Sequence, residues 1–257
     1  MTVRNLYLCL SIVMLYNMEL KGKIALITGA TRGIGECIAL RLASMGMKLV
    51  ITGRDLDKLE KLKVSIQKYA PQPHLVVADI SDPETPVRLI GETIQTFGGI
   101  DVLVNNAGYA VSKPIEETSL DDWDHSIVVN ARAPFFICKE SIPCLRLSTC
   151  ATIINISSVV GRLGYTKQAA YTASKHALMG FSKVLAREVQ PLGIRVHTIA
   201  PGGVATDMVK TMRADLDVSE LIQPDEIADI VEFLLSHRGN AMIDNIDLRR
   251  FNGTPFA

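Results

Sequence analysis

Tyr171 and Lys175 stand four positions apart in the run YTASK, a spacing that projects both side chains from one face if the segment is helical. A phenol with an ordinary pKa near about 10 exchanges protons poorly at neutral pH, and a neighbouring ammonium is expected to lower that value. Alone, such a pair reads more readily as two surface side chains. It gains weight from Ser157 and Ser158, which follow the apolar run TIINI and bring a hydroxyl able to donate to a substrate oxygen. Asn105, Asn106, Ala107 and Gly108 follow another apolar run, and Asn130 closes a helical pattern before Ala131; each Asn can also serve as a cap or turn residue.

A second feature is the stretch Gly29-Ala-Thr-Arg-Gly33-Ile-Gly35, which follows the apolar run IALIT and leads into a helical pattern. Glycines so placed let the backbone turn sharply and approach a pyrophosphate, whose charge the following helix N-terminus favours. The spacing is G-x-x-x-G-x-G, and a glycine trio by itself also fits a structural turn. About twenty residues further on, an acid would read the ribose hydroxyls of NAD, whereas an arginine suits the 2′-phosphate of NADP. The chain has Gly53-Arg54-Asp55 there. Gly53 offers no carboxylate, Arg54 offers a planar fork, and Arg32 in the glycine loop supplies a second cation, so NADPH is the expected cofactor. Asp55 reads as the N-cap of the helix that begins L-D-K-L-E-K-L.

The elements that must position these groups are short β-rich runs alternating with longer helical patterns. Strands are expected at Ile24–Thr28, Leu49–Thr52, His74–Ala78, Val102–Asn105, Thr152–Ile156, Arg195–Ala200 and Ile243–Leu248. Helices are expected at Ile34–Ser44, Leu56–Tyr69, Pro83–Phe97, Trp123–Cys144, Ala169–Gln190 and Pro224–Ser236. Near-continuous apolar strands require a sheet covered on both faces. The expected fold is α/β, a single-domain Rossmann-type doubly wound parallel sheet with helices on both faces, its ligand at the carboxyl ends of the strands.

With 257 residues, 48% apolar and 21% charged, the chain suits one compact unit. Its 27 basic residues balance 27 acidic ones, and no basic run or aromatic-basic alternation marks a nucleic-acid footprint. Cys9, Cys37, Cys138, Cys144 and Cys150 lack metal spacing and read as buried reduced thiols, and the five histidines are scattered, so no metal site is assigned. Leu6 to Tyr16 is nearly uncharged. It is short for a bilayer span and lacks a small-residue cleavage site, which leaves three readings: a targeting segment, a weak membrane anchor, or a stretch upstream of a natural start at Met18. Residues 1–17 are taken as an extension and 18–257 as the NADP-binding catalytic domain, with a cytoplasmic location expected.

Together these motifs resemble the short-chain dehydrogenase/reductase family. The resemblance runs from Lys21 to about Ile246 and rests on TGATRGIG at 28–35, Asp79-Ile80, NNAG at 105–108, Asn130, the Ser158/Tyr171/Lys175 spacing and PGGVAT at 201–206. It implies that Ser158 orients a substrate carbonyl, Tyr171 exchanges the proton, Lys175 holds ribose hydroxyls and Asn130 supports a water relay to the lysine. It further implies a cofactor site made by Gly29, Thr31, Arg32, Gly33, Ile34 and Gly35, by Arg54, Asp79 and Ile80, by Asn106, Ala107 and Gly108, by Tyr171 and Lys175, and by Pro201, Gly202, Val204 and Thr206. Within this set Asp79 lies beside the adenine, while Val204 and Thr206 hold the nicotinamide carboxamide.

The implied activity is NADPH-dependent interconversion of a carbonyl and a secondary alcohol. TGATRGIG and YTASKHALMGF are similar to 3-oxoacyl-carrier-protein reductases, whereas the segment Asp207–Gln223 and the ending IDNIDLRRFNGTPFA look more like reductases of small 3-hydroxy acids. A member that binds NADPH but acts as a regulator or scaffold is the alternative, against which the intact Ser158, Tyr171 and Lys175 count. A homo-oligomer, dimer or tetramer, packed through the long helices near Trp123–Cys144 and Ala169–Gln190 is also implied.

Overall fold

The computed structural model describes residues 20–212 and 216–255. The extension at 1–17, its apolar run at 6–16 and Cys9 lie outside the described residues. Seven parallel strands form one sheet in the order β3-β2-β1-β4-β5-β6-β7: β1 Ile24–Ile27, β2 Lys48–Gly53, β3 His74–Val77, β4 Val102–Asn105, β5 Thr152–Ile156, β6 Arg195–Pro201 and β7 Asn245–Leu248. The expected α/β doubly wound sheet is what is found.

Successive residues of a strand face opposite sides, and both sides are apolar. Ala25, Ile27, Leu49 and Ile51 pack under α1 (Gly33–Ser44), α2 (Leu56–Ile66) and the late helix Pro224–Ser236, here α8. Leu26, Val50, Leu103 and Ile153 pack under α3 (Thr85–Phe97), α5 (Ala133–Leu145) and α6 (Ala169–Val189). The chain winds outward from β1 to β3, then returns to place β4 on the other side of β1. That reversal opens a crevice beyond the carboxyl ends of β1 and β4, where an open α/β sheet binds ligand.

Two helical segments and two cysteines differ from expectation. The helix expected at Trp123–Cys144 is α4 (Leu120–Ile127), a π-helical turn over Val128–Arg132, and α5. It starts early because Ser119 and Asp122 form a capping box, and the wide turn puts Asn130 inside the helical run rather than at its end. A short helix, α7 (Asp207–Met212), appears where the sequence reads as mixed. Of the cysteines, Cys138 and Cys150 are buried and unpaired as expected, but Cys37 and Cys144 are partly exposed. Among the described residues no helix is long and apolar enough to cross a membrane.

Candidate active site

β1 ends at the glycine loop. Gly29 has φ +64° and Gly33 φ +56°, left-handed conformations that favour glycine. A Cβ at Gly29 would lie 2.7 Å from Ala107 Cα, so this loop sits directly on the one after β4. Gly35 is placed behind it, and a side chain there would overlap the Gly29 carbonyl and the Asn106 amide. The contact is hydrogen-bonded: Asn106 Nδ2 donates to the Thr28 and Gly29 carbonyls at 3.0 and 2.9 Å, and Thr28 Oγ1 accepts from the backbone N–H of Asn106 and Ala107 at 3.1 Å each. Arg32 opens α1 without a side-chain cap, so the first-turn N–H groups are not spent on one and the positive end of the helix dipole faces the cleft. These features cradle a phosphate, within a cleft of about 460 Å³.

On the outer rim, Arg54 follows β2 and approaches Asp79 at 3.8 Å, while Arg32 approaches Asp207 at 3.7 Å. Both pairs are largely exposed, so they bind their arginines weakly and leave them available to an anion. Burial works to raise the Asp79 carboxyl, but donation from the Ser81 backbone and hydroxyl and the Arg54 charge hold it below the usual carboxylate range. A Cβ at Gly53 would meet Thr31 Cγ2 at 2.5 Å, which explains the glycine there on packing grounds alone. Asp55 accepts from the Lys58 N–H at 3.1 Å and caps α2, as read from the sequence.

At the inner end, α6 buries Tyr171 (9% exposed) and Lys175 (4%) beside Ser158 (8%), which follows β5. Lys175 Nζ donates to the Ile156 carbonyl at 2.9 Å and lies 5.9 Å from the Tyr171 ring centre. The expected lowering of the phenol pKa is not what this geometry produces. Burial pushes Tyr171 up to about 12, against a smaller opposing effect of Ser158, and pushes Lys175 down to about 8. The ammonium is turned to the backbone of β5, and desolvation dominates both groups. Ser158 Oγ donates to the Pro201 carbonyl at 3.3 Å, and Pro201, Gly202, Val204 and Thr206 carry the wall on from β6.

Asn130 does not line the cleft. Its Oδ1 accepts from the Tyr109 N–H at 2.9 Å, and its Nδ2 donates to the Tyr109 carbonyl at 2.7 Å and to Ser174 Oγ at 2.9 Å. The side chain expected to support a relay is therefore spent on holding the loop after β4. The other expected cofactor residues, Gly35 apart, line the cleft. So do Tyr109, His125, Met208 and Val209, which the sequence reading missed; they come from a loop and two helices with no shared motif, and only the folded chain brings them together.

A doubly wound sheet with this cleft and this Ser/Tyr/Lys group is a nucleotide-dependent dehydrogenase in form. Residues 23–217 match the short chain dehydrogenase family, and the chain belongs to it. It is 35% identical over 228 residues to the 3-oxoacyl-[acyl-carrier-protein] reductase FabG of Aquifex aeolicus, covering 85% of this chain and 92% of that one. It is 36% identical over 195 residues to the 3beta-hydroxysteroid dehydrogenase of Mediterraneibacter gnavus, covering 76% and 70%. Among solved structures, a metagenomic short-chain oxidoreductase in complex with NADP superposes with a TM-score of 0.80 at 32% identity, covering 92% of this chain and 100% of that chain. The alcohol dehydrogenase of Thermococcus sibiricus complexed with 5-hydroxy-NADP gives 0.83 at 28%, covering 91% and 99%.

Proposed function

We propose that this chain is an NADPH-dependent oxidoreductase that interconverts a carbonyl and a secondary alcohol, acting on 3-oxoacyl or 3-oxo acid compounds. The observation that carries the reading is the burial of Ser158, Tyr171 and Lys175 together at one end of a cleft whose other end has a glycine cradle and two loosely held arginines. The cradle, the helix N-terminus and the buried, unpartnered Thr52 hydroxyl at the cleft wall fit a phosphorylated dinucleotide. Arg54 and Arg32 would hold its 2′-phosphate, and Lys175 its nicotinamide ribose. The NADP ligands of the two structural neighbours support the same choice, and the reductase relatives support the substrate class.

When bound, NADPH supplies the hydride that reaches the carbonyl carbon. The chain's own groups handle the oxygen. Tyr171, held neutral by burial, keeps its proton on Oη across physiological pH and gives it to the oxygen as negative charge develops there. The Ser158 hydroxyl, which rests on the Pro201 carbonyl at 3.3 Å, would turn to donate to that oxygen as charge develops there.

Oxidation of NADPH by the full chain against simple ketones, 3-oxoacyl thioesters and 3-oxo acids tests the reading. Turnover of the 3-oxo compounds is expected. Tight NADPH binding with silence across the panel would contradict it and favour an NADPH-binding regulator. A homo-oligomer is part of the proposal, supported by exposed Trp123, Phe135 and Phe136 on α4 and α5; a monomer at micromolar concentration by light scattering would refute that part.

A further inference from the structure

We propose that His125, braced by Tyr109, is a cofactor-binding residue that donates to an oxygen of the adenosine 5′-phosphate segment of the dinucleotide. The inference rests on the reading of the cleft as an NADPH site. Both rings line that cleft, yet neither belongs to the glycine loop, the rim arginines or the buried Ser/Tyr/Lys group.

The pair is built rather than incidental. The ring centroids are 4.5 Å apart at 78°, an edge-to-face contact. Tyr109 is fixed at its backbone, because Asn130 takes both its N–H and its carbonyl. His125 is fixed through α4, whose start is locked by the Ser119/Asp122 capping box and whose end runs into the π turn holding Asn130. A ring contact leaves the hydrogen-bonding capacity of the imidazole nitrogens unspent. Asp122, one turn back on the same helix, is no competitor for them, because it is taken by Lys113 at 2.6 Å and by Ser119.

The position along the cleft identifies the ligand atoms. His125 lies within electrostatic reach of the Asp79 carboxylate, which is itself 3.8 Å from Arg54. One turn further along the helical run, Val129 lines the same wall and leads to Asn130. His125 therefore stands between the rim, where the 2′-phosphate is placed, and the inner end, where Lys175 and Tyr171 lie. The segment of a dinucleotide spanning that interval is the adenosine ribose and its 5′-phosphate, whose oxygens accept hydrogen bonds.

Binding of NADPH and of adenosine 2′,5′-bisphosphate to the full chain, measured by titration calorimetry, tests the assignment. His125→Phe keeps the aromatic contact and removes the donor, and is expected to weaken both ligands about tenfold or more, the size of one hydrogen bond to a charged group. His125→Gln keeps a donor and is expected to retain most of the affinity, which separates lost donation from a disturbed fold. Affinities of the Phe variant within about twofold of the parent for both ligands would overturn the proposal. So would weakening of NADPH alone, which would move the histidine to the nicotinamide side. A parent chain that binds neither ligand would instead defeat the underlying NADPH reading.

Discussion

Lys175 Nζ donates to the Ile156 carbonyl at 2.9 Å while the Tyr171 ring centre lies 5.9 Å away. The lysine is thus anchored to the strand that leads to Ser158, and burial rather than mutual attraction sets the protonation of the pair. Its pKa falls on folding from 10.5 to about 8. Between those values the unfolded chain binds more protons than the folded one, so stability rises with pH across that window and the full penalty is felt below about 8.

Lys175→Met removes that penalty. At pH 7 the variant is expected to be inactive yet more stable, by up to about 3 kcal/mol from the size of the shift, less whatever the lost bond to Ile156 contributed. The gain should shrink toward pH 10. Urea unfolding at both pH values checks this, and a variant less stable than the parent at pH 7 would show that desolvation does not dominate.

The same lysine gives the reduction reaction its pH dependence. As pH rises through about 8, Lys175 loses the charge proposed to hold the cofactor ribose, while Tyr171, at about 12, stays protonated. The kcat/KM for reduction should therefore fall above about pH 8 on one ionisation, with no second loss below pH 10. A profile flat to pH 10 would remove Lys175 from the rate-determining chemistry.

The fold was legible because buried parallel strands such as IALI and TIINI leave uninterrupted apolar runs, and the glycine loop because its positive-φ glycines and close approach to Ala107 have no substitute. Other features had no comparable signal. α7 is a six-residue helix with no buried residue, too short for periodicity to show. The π turn that redirects Asn130 depends on packing against α6 and on the loop at Tyr109. The edge-to-face contact of Tyr109 and His125 joins a loop to a helix face. The direction of the Tyr171 shift was misread because spacing reports that a cation is near but not that it is turned away, nor how far both groups are desolvated.

Cofactor choice is tested at the rim. Arg54 is held only loosely by Asp79, so Arg54→Asp both removes a cation and adds a like charge to the phosphate. The variant should lose about tenfold or more in NADPH affinity and move its preference toward NADH. A parent enzyme with the higher kcat/KM for NADH would contradict the assignment of Arg54 and Arg32.

The central claim is that Tyr171 supplies the proton, and Tyr171→Phe tests it most directly. Phenylalanine keeps the ring, 9% exposed on α6, and deletes only the hydroxyl. With a substrate the parent turns over, kcat is expected to fall by about 10² to 10⁴, the usual range for a positioned general acid, while the NADPH dissociation constant stays within about twofold. Activity within a few-fold of the parent would mean that the proton comes from another group, and the catalytic assignment would fail.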